Sequence, residues 1–276
     1  MSSSPTSPKP RGSRRFWLVA VITLVLAVGV GEWWASAVVS YAHRRAVTLA
    51  DLSANKQINP EIGYRAALVL DPGNSSYQVA LANAYLASWN AQAAIDLVPD
   101  NDASNSELAV VRSKALVETG NPREAAKIKG GSEAVLYQRG LALAADGDTA
   151  LAAGIAQKLP SEQLRAQLQR ATSNQLALAQ ELAAAGMPKA ALAICQKQAR
   201  TSVAQVVLEV KLLMANPRIG ESDLKLAAEA VGAGLAMEPS SHTLWELKRQ
   251  VAEAQGDSAG ANQAADKLQR LQQGTY

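Results

Sequence analysis

The sequence predicts an all-α protein in which a single N-terminal transmembrane helix is followed by an α-solenoid of helix-turn-helix pairs. Three observations lead to this fold class. An uncharged apolar run fills residues 16–31. From residue 60 onward, apolar side chains recur at the i, i+3, i+4 and i+7 spacing of amphipathic helices, without an alternating strand pattern. Short turns that contain glycine separate these helical segments.

The apolar run predicts a transmembrane helix that acts as a signal anchor over residues 16–35. Residues 16–34 would form roughly 28 Å of helix, close to the ~30 Å hydrocarbon core of a bilayer. Aromatic and basic side chains flank the run, as expected at a membrane interface. The predicted interface residues are Trp17, Trp33, Trp34, Arg14 and Arg15.

The distribution of basic residues predicts the orientation. Residues 1–15 contain four basic side chains and no acid, and such a bias favours a cytoplasmic N-terminus. The sequence therefore predicts a single-pass protein of the inner (cytoplasmic) membrane with an extracytoplasmic, periplasmic C-terminal domain. The predicted segments are a disordered basic tail over 1–15, the transmembrane helix over 16–35, a juxtamembrane helix and break over 36–59, and the helical repeat domain over 60–276.

A cleavable signal peptide is the alternative interpretation of the N-terminal segment. Ala35-Ser36-Ala37 has the A-x-A pattern of a cleavage site. Cleavage after Ala37 would release a secreted solenoid into the same compartment. The length of the apolar run and the two tryptophans before this tripeptide favour the uncleaved anchor.

A recurring turn joins the predicted helices. It consists of a glycine, an Asn, Asp or Met, and often a proline, with an alanine five residues after the glycine. Glycine supplies the left-handed residue that ends the first helix, and Asn, Asp or Pro begins the second. The turns are Gly120-Asn121-Pro122, Gly147-Asp148, Gly186-Met187-Pro188 and Gly256-Asp257, and the alanines are Ala125, Ala152, Ala191 and Ala261.

The order of large and small residues around these turns resembles the tetratricopeptide repeat (TPR) family over about residues 41–272. Leu178, Ala179, Leu182 and Ala191 fit its pattern, as do Leu81, Ala82, Tyr85 and Ala94, where Trp89 stands in place of the turn glycine. Spacing between turns is irregular, and residues 161–171 resemble an inserted helix. The resemblance implies a TPR-like domain of five or six helical pairs.

No catalytic or cofactor motif occurs in the sequence, so we predict a non-enzymatic protein without cofactor or metal. It has one cysteine, Cys195, which we predict to be buried, and two distant histidines. Asp100-Asn101-Asp102 lacks the remaining ligands of a calcium loop and is interpreted as a turn. Four of the 27 basic residues lie in 1–15, which leaves 23 basic against 24 acidic side chains elsewhere and does not favour nucleic-acid binding.

The TPR resemblance implies a concave groove lined by the first helix of each pair. Arg112, Arg139 and Asn83 are the predicted partner-binding residues, and the two arginines would hold an acidic segment or a C-terminal carboxylate. The alternative is that they are solvated or paired locally with Glu107 and Glu133. The predicted function is a membrane-anchored scaffold that binds a protein or peptide in an envelope assembly, secretion, pilus or cytochrome-maturation complex. A chaperone-like holdase beside a translocation channel is the alternative, and an enzyme hidden in residues 155–225 is the least favoured hypothesis.

Overall fold

A computed structural model of the chain describes residues 36–98 and 105–273. These residues contain α-helices and turns and no strand. The chain divides into two compact units, Met1–Asn74 and Ser75–Tyr276. The second unit contains the helical pairs that concern function.

The described part of the first unit is a pair of helices, α1 over residues 36–54 and α2 (Pro60–Leu70). Asn59 caps α2 because its side chain accepts hydrogen bonds from the amides of Glu61 and Ile62, and Pro60 occupies the first turn. The two helices approach closely at Gly63, where a Cβ atom would lie 1.8 Å from Ser53 Oγ. Between α1 and α2 the chain forms a turn over residues 55–59.

Thirteen helices follow in the described residues of the second unit. Their bounds are α3 (Ser75–Ala87), α4 (Ala91–Leu97), α5 (Ser106–Glu118), α6 (Pro122–Lys127), α7 (Glu133–Asp146), α8 (Thr149–Ala156), α9 (Glu162–Ser173), α10 (Gln175–Ala184), α11 (Pro188–Lys197), α12 (Val203–Met214), α13 (Glu221–Met237), α14 (His242–Gln255) and α15 (Ser258–Gln272).

Consecutive helices pack as pairs: α3 with α4, α5 with α6, α7 with α8, α10 with α11, α12 with α13, and α14 with α15. The first helices of neighbouring pairs also pack on one another, in the series α3–α5–α7 and α10–α12–α14, with α7 against α10. Stacked pairs bury apolar faces that a single pair would leave exposed. The predicted all-α architecture of repeated helical pairs is confirmed for the described residues.

Helix α9 is an additional element between the third and fourth pairs, where the sequence predicts an inserted helix. It packs against α8, α10 and α7. Its close approach to α7 requires a glycine, because a Cβ atom at Gly140 would lie 2.3 Å from Cδ2 of the buried Leu168. Leu168 belongs to a core that runs from Val117 to Leu212.

The turns between paired helices confirm the predicted glycine caps. Gly120, Gly147, Gly186 and Gly256 have φ angles of 79°, 95°, 81° and 73°, in the left-handed region that glycine enters without a Cβ penalty. Trp89 occupies the corresponding place between α3 and α4 and has a φ of 61°. A bulky residue in this region is uncommon and strained.

The membrane part of the predicted fold class is corrected by the structure. Within residues 36–98 and 105–273, no helix has both the length and the apolar character needed to cross a bilayer. A spanning helix needs about 20 predominantly apolar residues, whereas α1 carries Arg44, Arg45 and Asp51. The fold class is therefore all-α and repeat-like without a transmembrane helix in the described residues, and the predicted single-pass inner-membrane location is contradicted by the same finding.

The predicted span itself, residues 16–35, lies outside the described residues. The same is true of the basic tail over 1–15 and of the predicted interface residues Trp17, Trp33, Trp34, Arg14 and Arg15.

Candidate functional site

A groove on the first-helix face of the second unit is the candidate binding site. It lies across α3, α5 and the start of α7 and has a volume of about 350 Å³. Most of its lining comes from successive turns of α3 and α5, because residues four apart lie on one helix face. The lining includes Val79, Asn83, Glu107, Val110, Val111 and Lys114.

Lys114 is the cation of this groove. Its side chain is half-buried, and burial lowers the pKa of its ammonium group. Burial is the only cause of the shift, and within the described residues no carboxylate forms an ion pair with Lys114. A charged group that loses water without gaining a partner has a free-energy penalty. The groove therefore holds a cation whose electrostatic environment favours an added anion.

Asn83 lines the same groove on α3, one turn beyond Val79. Its exposed side-chain amide offers both donors and an acceptor. Of the three predicted partner-binding residues, Asn83 is the one that the structure places in this groove. Its role in binding stays a prediction.

Arg112 contacts the second helix of the preceding pair. Its guanidinium donates hydrogen bonds to the carbonyl oxygens of Ile95 and Val98 at the C-terminal end of α4. The Ile95 carbonyl also accepts from the Val98 amide at the end of α4, and a cation near the last carbonyl groups of a helix is favourable. The structure thus gives Arg112 a helix-capping contact in α4.

Arg139 is exposed on α7 and is not part of the groove lining. Glu133, its suggested local partner, accepts a hydrogen bond from the Ser161 amide just before α9. The structure therefore does not bring Arg112, Arg139 and Asn83 together. Sequence reasoning missed Lys114, although a lysine one helical turn after Val110 and Val111 was a usable signal.

A second cleft, of about 540 Å³, opens between α11 and α13. At its floor, Arg200 donates two hydrogen bonds of 2.9 Å to the carboxylate of Glu209, which is only 1% exposed. Cys195 lines the same cleft and is buried, as predicted. Burial, followed by the charge of Glu209, raises the pKa of its thiol to about 11, so the thiolate required for nucleophilic chemistry is disfavoured.

No group of three or more His, Cys, Asp or Glu side chains in residues 36–98 and 105–273 is arranged to hold a metal ion. The calcium-like stretch Asp100-Asn101-Asp102 lies outside the described residues.

Neither a family profile nor a curated protein matches this chain. A solved structure that is similar to it is the TPR domain of P58(IPK), which is 13% identical, with 86% of each chain covered and a TM-score of 0.30. At this identity and TM-score, we draw no functional conclusion from the likeness. The repeat architecture follows from the packing of the helical pairs described above.

Proposed function

We propose that the protein is a scaffold that binds a segment of a partner protein in the groove across α3, α5 and α7. The role is binding rather than catalysis. The single observation that carries the proposal is Lys114, a half-buried ammonium group without an ion-pair partner in the described residues.

The chemistry of the groove indicates the kind of segment. A partner carboxylate placed beside Lys114 would offset the penalty of burying that charge, and charge-assisted hydrogen bonds are the stronger class. Val79, Val110 and Val111 provide an apolar floor for an aliphatic side chain next to the carboxylate. We therefore expect the partner segment to carry an Asp, Glu or terminal carboxylate flanked by aliphatic residues.

Asn83 would then orient the segment. A side-chain amide can donate to a peptide carbonyl and accept from a peptide amide at the same time. Such a contact is independent of the partner's side chains, so affinity would come from the backbone and the carboxylate, and selectivity from the aliphatic residues. This division of roles is typical of peptide-binding grooves.

Paired peptides test the proposal. We would measure fluorescence anisotropy of the full-length protein with a labelled peptide that has Asp between leucines, and with the same peptide carrying Asn. We expect the Asp peptide to bind about tenfold more tightly, because a hydrogen bond to a charged group contributes about 1.5 kcal/mol or more. The Lys114→Met variant should bind both peptides equally.

Lys158→Met is the matched control because Lys158 is exposed and lies outside the groove lining. It should keep the preference for Asp. Arg139→Met decides whether the exposed arginine of α7 contributes as well. If Lys114→Met retains the full preference, the groove assignment is wrong. Saturation at one peptide per chain supports a scaffold, whereas equal binding of many unrelated unfolded proteins would support the holdase alternative.

A further inference from the structure

The strained turn residue Trp89 takes part in a long-range contact. Four other turns in the described residues use glycine at a positive φ, whereas this one uses tryptophan at 61°. Strain of this kind persists only where surrounding contacts stabilise it. The contact is made by Lys189, whose Nζ donates to the Trp89 carbonyl oxygen at 2.5 Å and lies 5.9 Å from the centroid of its ring.

Lys189 also brings the first turn of α11 to the end of α5. Its backbone amide lies 3.1 Å from both carboxylate oxygens of Glu118. The residue before α11 is Met187, which provides no side-chain cap. Glu118 therefore supplies from α5 the acceptor that a polar N-cap residue normally supplies locally.

These contacts join the first and second helical pairs to the fourth pair without involving the third pair. Lys189 is 71 residues from Glu118 and 100 residues from Trp89, and α11 packs directly against α5. We call Trp89, Glu118 and Lys189 the latch. It ties the turn after α3 and the end of α5, two elements that carry the groove, to the start of α11.

The latch also determines which partner Glu118 has. Lys114 and Glu118 are four residues apart on α5, a spacing at which side chains can form an ion pair. In the structure Glu118 instead faces α11, and it is not among the causes that shift the pKa of Lys114. Lysine before glutamate is the weaker orientation of such a pair, so the α11 contact outcompetes it.

We propose that the latch is an autoinhibitory switch for the groove. In the closed state, the latch holds Glu118 away from Lys114 and leaves the ammonium group available to a partner. In the open state, Glu118 forms an ion pair with Lys114 and neutralises it. The inference rests on the proposed function of Lys114. A partner carboxylate bound to Lys114 favours the closed state, because it displaces Glu118 from the ammonium group. Linkage is reciprocal, so a closed latch raises affinity for that carboxylate.

The contact between Glu118 and α11 only partly offsets the cost of burying the carboxylate, which fits a contact that can open. Burial raises the pKa of this carboxyl group to about 7, against the lowering effect of the α11 amides and of Lys189. The charged carboxylate is thus held away from water by contacts that only partly compensate for burial.

A titration of Lys114 tests the switch without any ligand. The side-chain carbons of lysine are followed by NMR in isotope-labelled full-length protein, and the Lys114 signal is assigned from its loss in Lys114→Arg. The release variant is Lys189→Pro, which removes both the backbone N–H that Glu118 accepts from and the ammonium group that contacts Trp89, while proline is tolerated in the first turn of a helix. The matched control is Lys197→Ala, because Lys197 is an exposed lysine at the other end of α11.

In the release variant, the pKa of Lys114 should rise by roughly 0.2–0.4 pH units, the size expected for an i,i+4 ion pair. Lys197→Ala should leave it unchanged. Adding Glu118→Gln to the release variant should abolish the rise. A Lys114 pKa that is unchanged in the release variant, or a rise that survives Glu118→Gln, overturns the switch.

Circular dichroism confirms that the variants are folded. If Lys189→Pro loses helix, Met187→Asp carries the same test, because an N-cap aspartate, such as Asp148 and Asp257 in two other turns, would occupy the α11 amides that Glu118 accepts from. The switch and the proposed function fail separately. If the pKa of Lys114 rises as expected but Lys114→Met keeps its preference for the Asp peptide, the groove assignment fails and the latch stands.

Discussion

Replacing Gly140 with alanine tests whether α9 is positioned by close contact with α7. An alanine Cβ at this position would lie 2.3 Å from Cδ2 and 3.1 Å from Cδ1 of Leu168. Carbon atoms in favourable contact are about 3.5–4.0 Å apart. Leu168 is 0% exposed, so its side chain cannot turn into solvent to make room.

Two effects of opposite sign determine the magnitude. Alanine is favoured over glycine inside a helix by about 1 kcal/mol. Overpacking of a dense core lowers the free energy of unfolding by about 1–3 kcal/mol. We therefore expect Gly140→Ala to be less stable than the wild type by about 1 kcal/mol.

Gly232→Ala is the matched control. Gly232 is exposed in the interior of α13, and a Cβ atom there would have no heavy atom within 4 Å. This variant should gain about 1 kcal/mol from helix propensity alone. The two alanine variants should therefore differ by about 2 kcal/mol in the free energy of unfolding, measured by urea denaturation followed by circular dichroism.

The background variant Leu168→Ala identifies the contact responsible. It removes the atoms that the new Cβ would meet, so Gly140→Ala should be stabilising there although it is destabilising in the wild type. Such non-additivity is expected of residues in contact. If Gly140→Ala stabilises the wild type as much as Gly232→Ala does, our account of the packing of α9 on α7 is refuted.

Three further predictions concern ionisable groups. Arg200→Met should lower the free energy of unfolding, measured by urea denaturation, by about 3 kcal/mol because Glu209 is left charged and buried. Adding Glu209→Leu should restore most of the lost free energy. Because the pKa of Glu118 is raised from 4.5 to about 7, its contribution to stability is complete below pH 4.5 and is lost as the pH rises through 7. In the Glu118→Gln variant, the thermal denaturation midpoint should therefore depend less on pH over this range than it does in the wild type. Cys195 should react with iodoacetamide at pH 8 about tenfold more slowly in the native protein than in urea, and equal rates would contradict its burial.

The sequence predicts the elements of this fold whose causes are local. Each turn glycine, its following cap and the end of α2 before Asp71-Pro72 depend on residues within a few positions of one another. The tryptophan that replaces a turn glycine at position 89 and the inserted helix α9 can be recognised in the sequence for the same reason. The burial of Cys195 follows from its place on the apolar face of a helix.

The site could be predicted only in part. Asn83 was named because the resemblance to helical repeats indicates which helices line a groove, and its role in binding stays a prediction. Arg112 lies on one of these helices, but its guanidinium reaches carbonyl groups 14 and 17 residues away, in α4. The angular position of a side chain around its helix, and which neighbour it meets there, depends on how the pairs stack.

By itself, the sequence determined that the region after residue 60 forms paired helices, because helix periodicity and turn chemistry act over three to seven residues. Only the tertiary structure decided that Lys114 is the groove cation, that Arg112 caps α4, and that Lys189 joins Glu118 to Trp89 across 100 residues of chain. The physical reason is that desolvation and long-range hydrogen bonds depend on distances between elements, and these distances arise only when the helices pack.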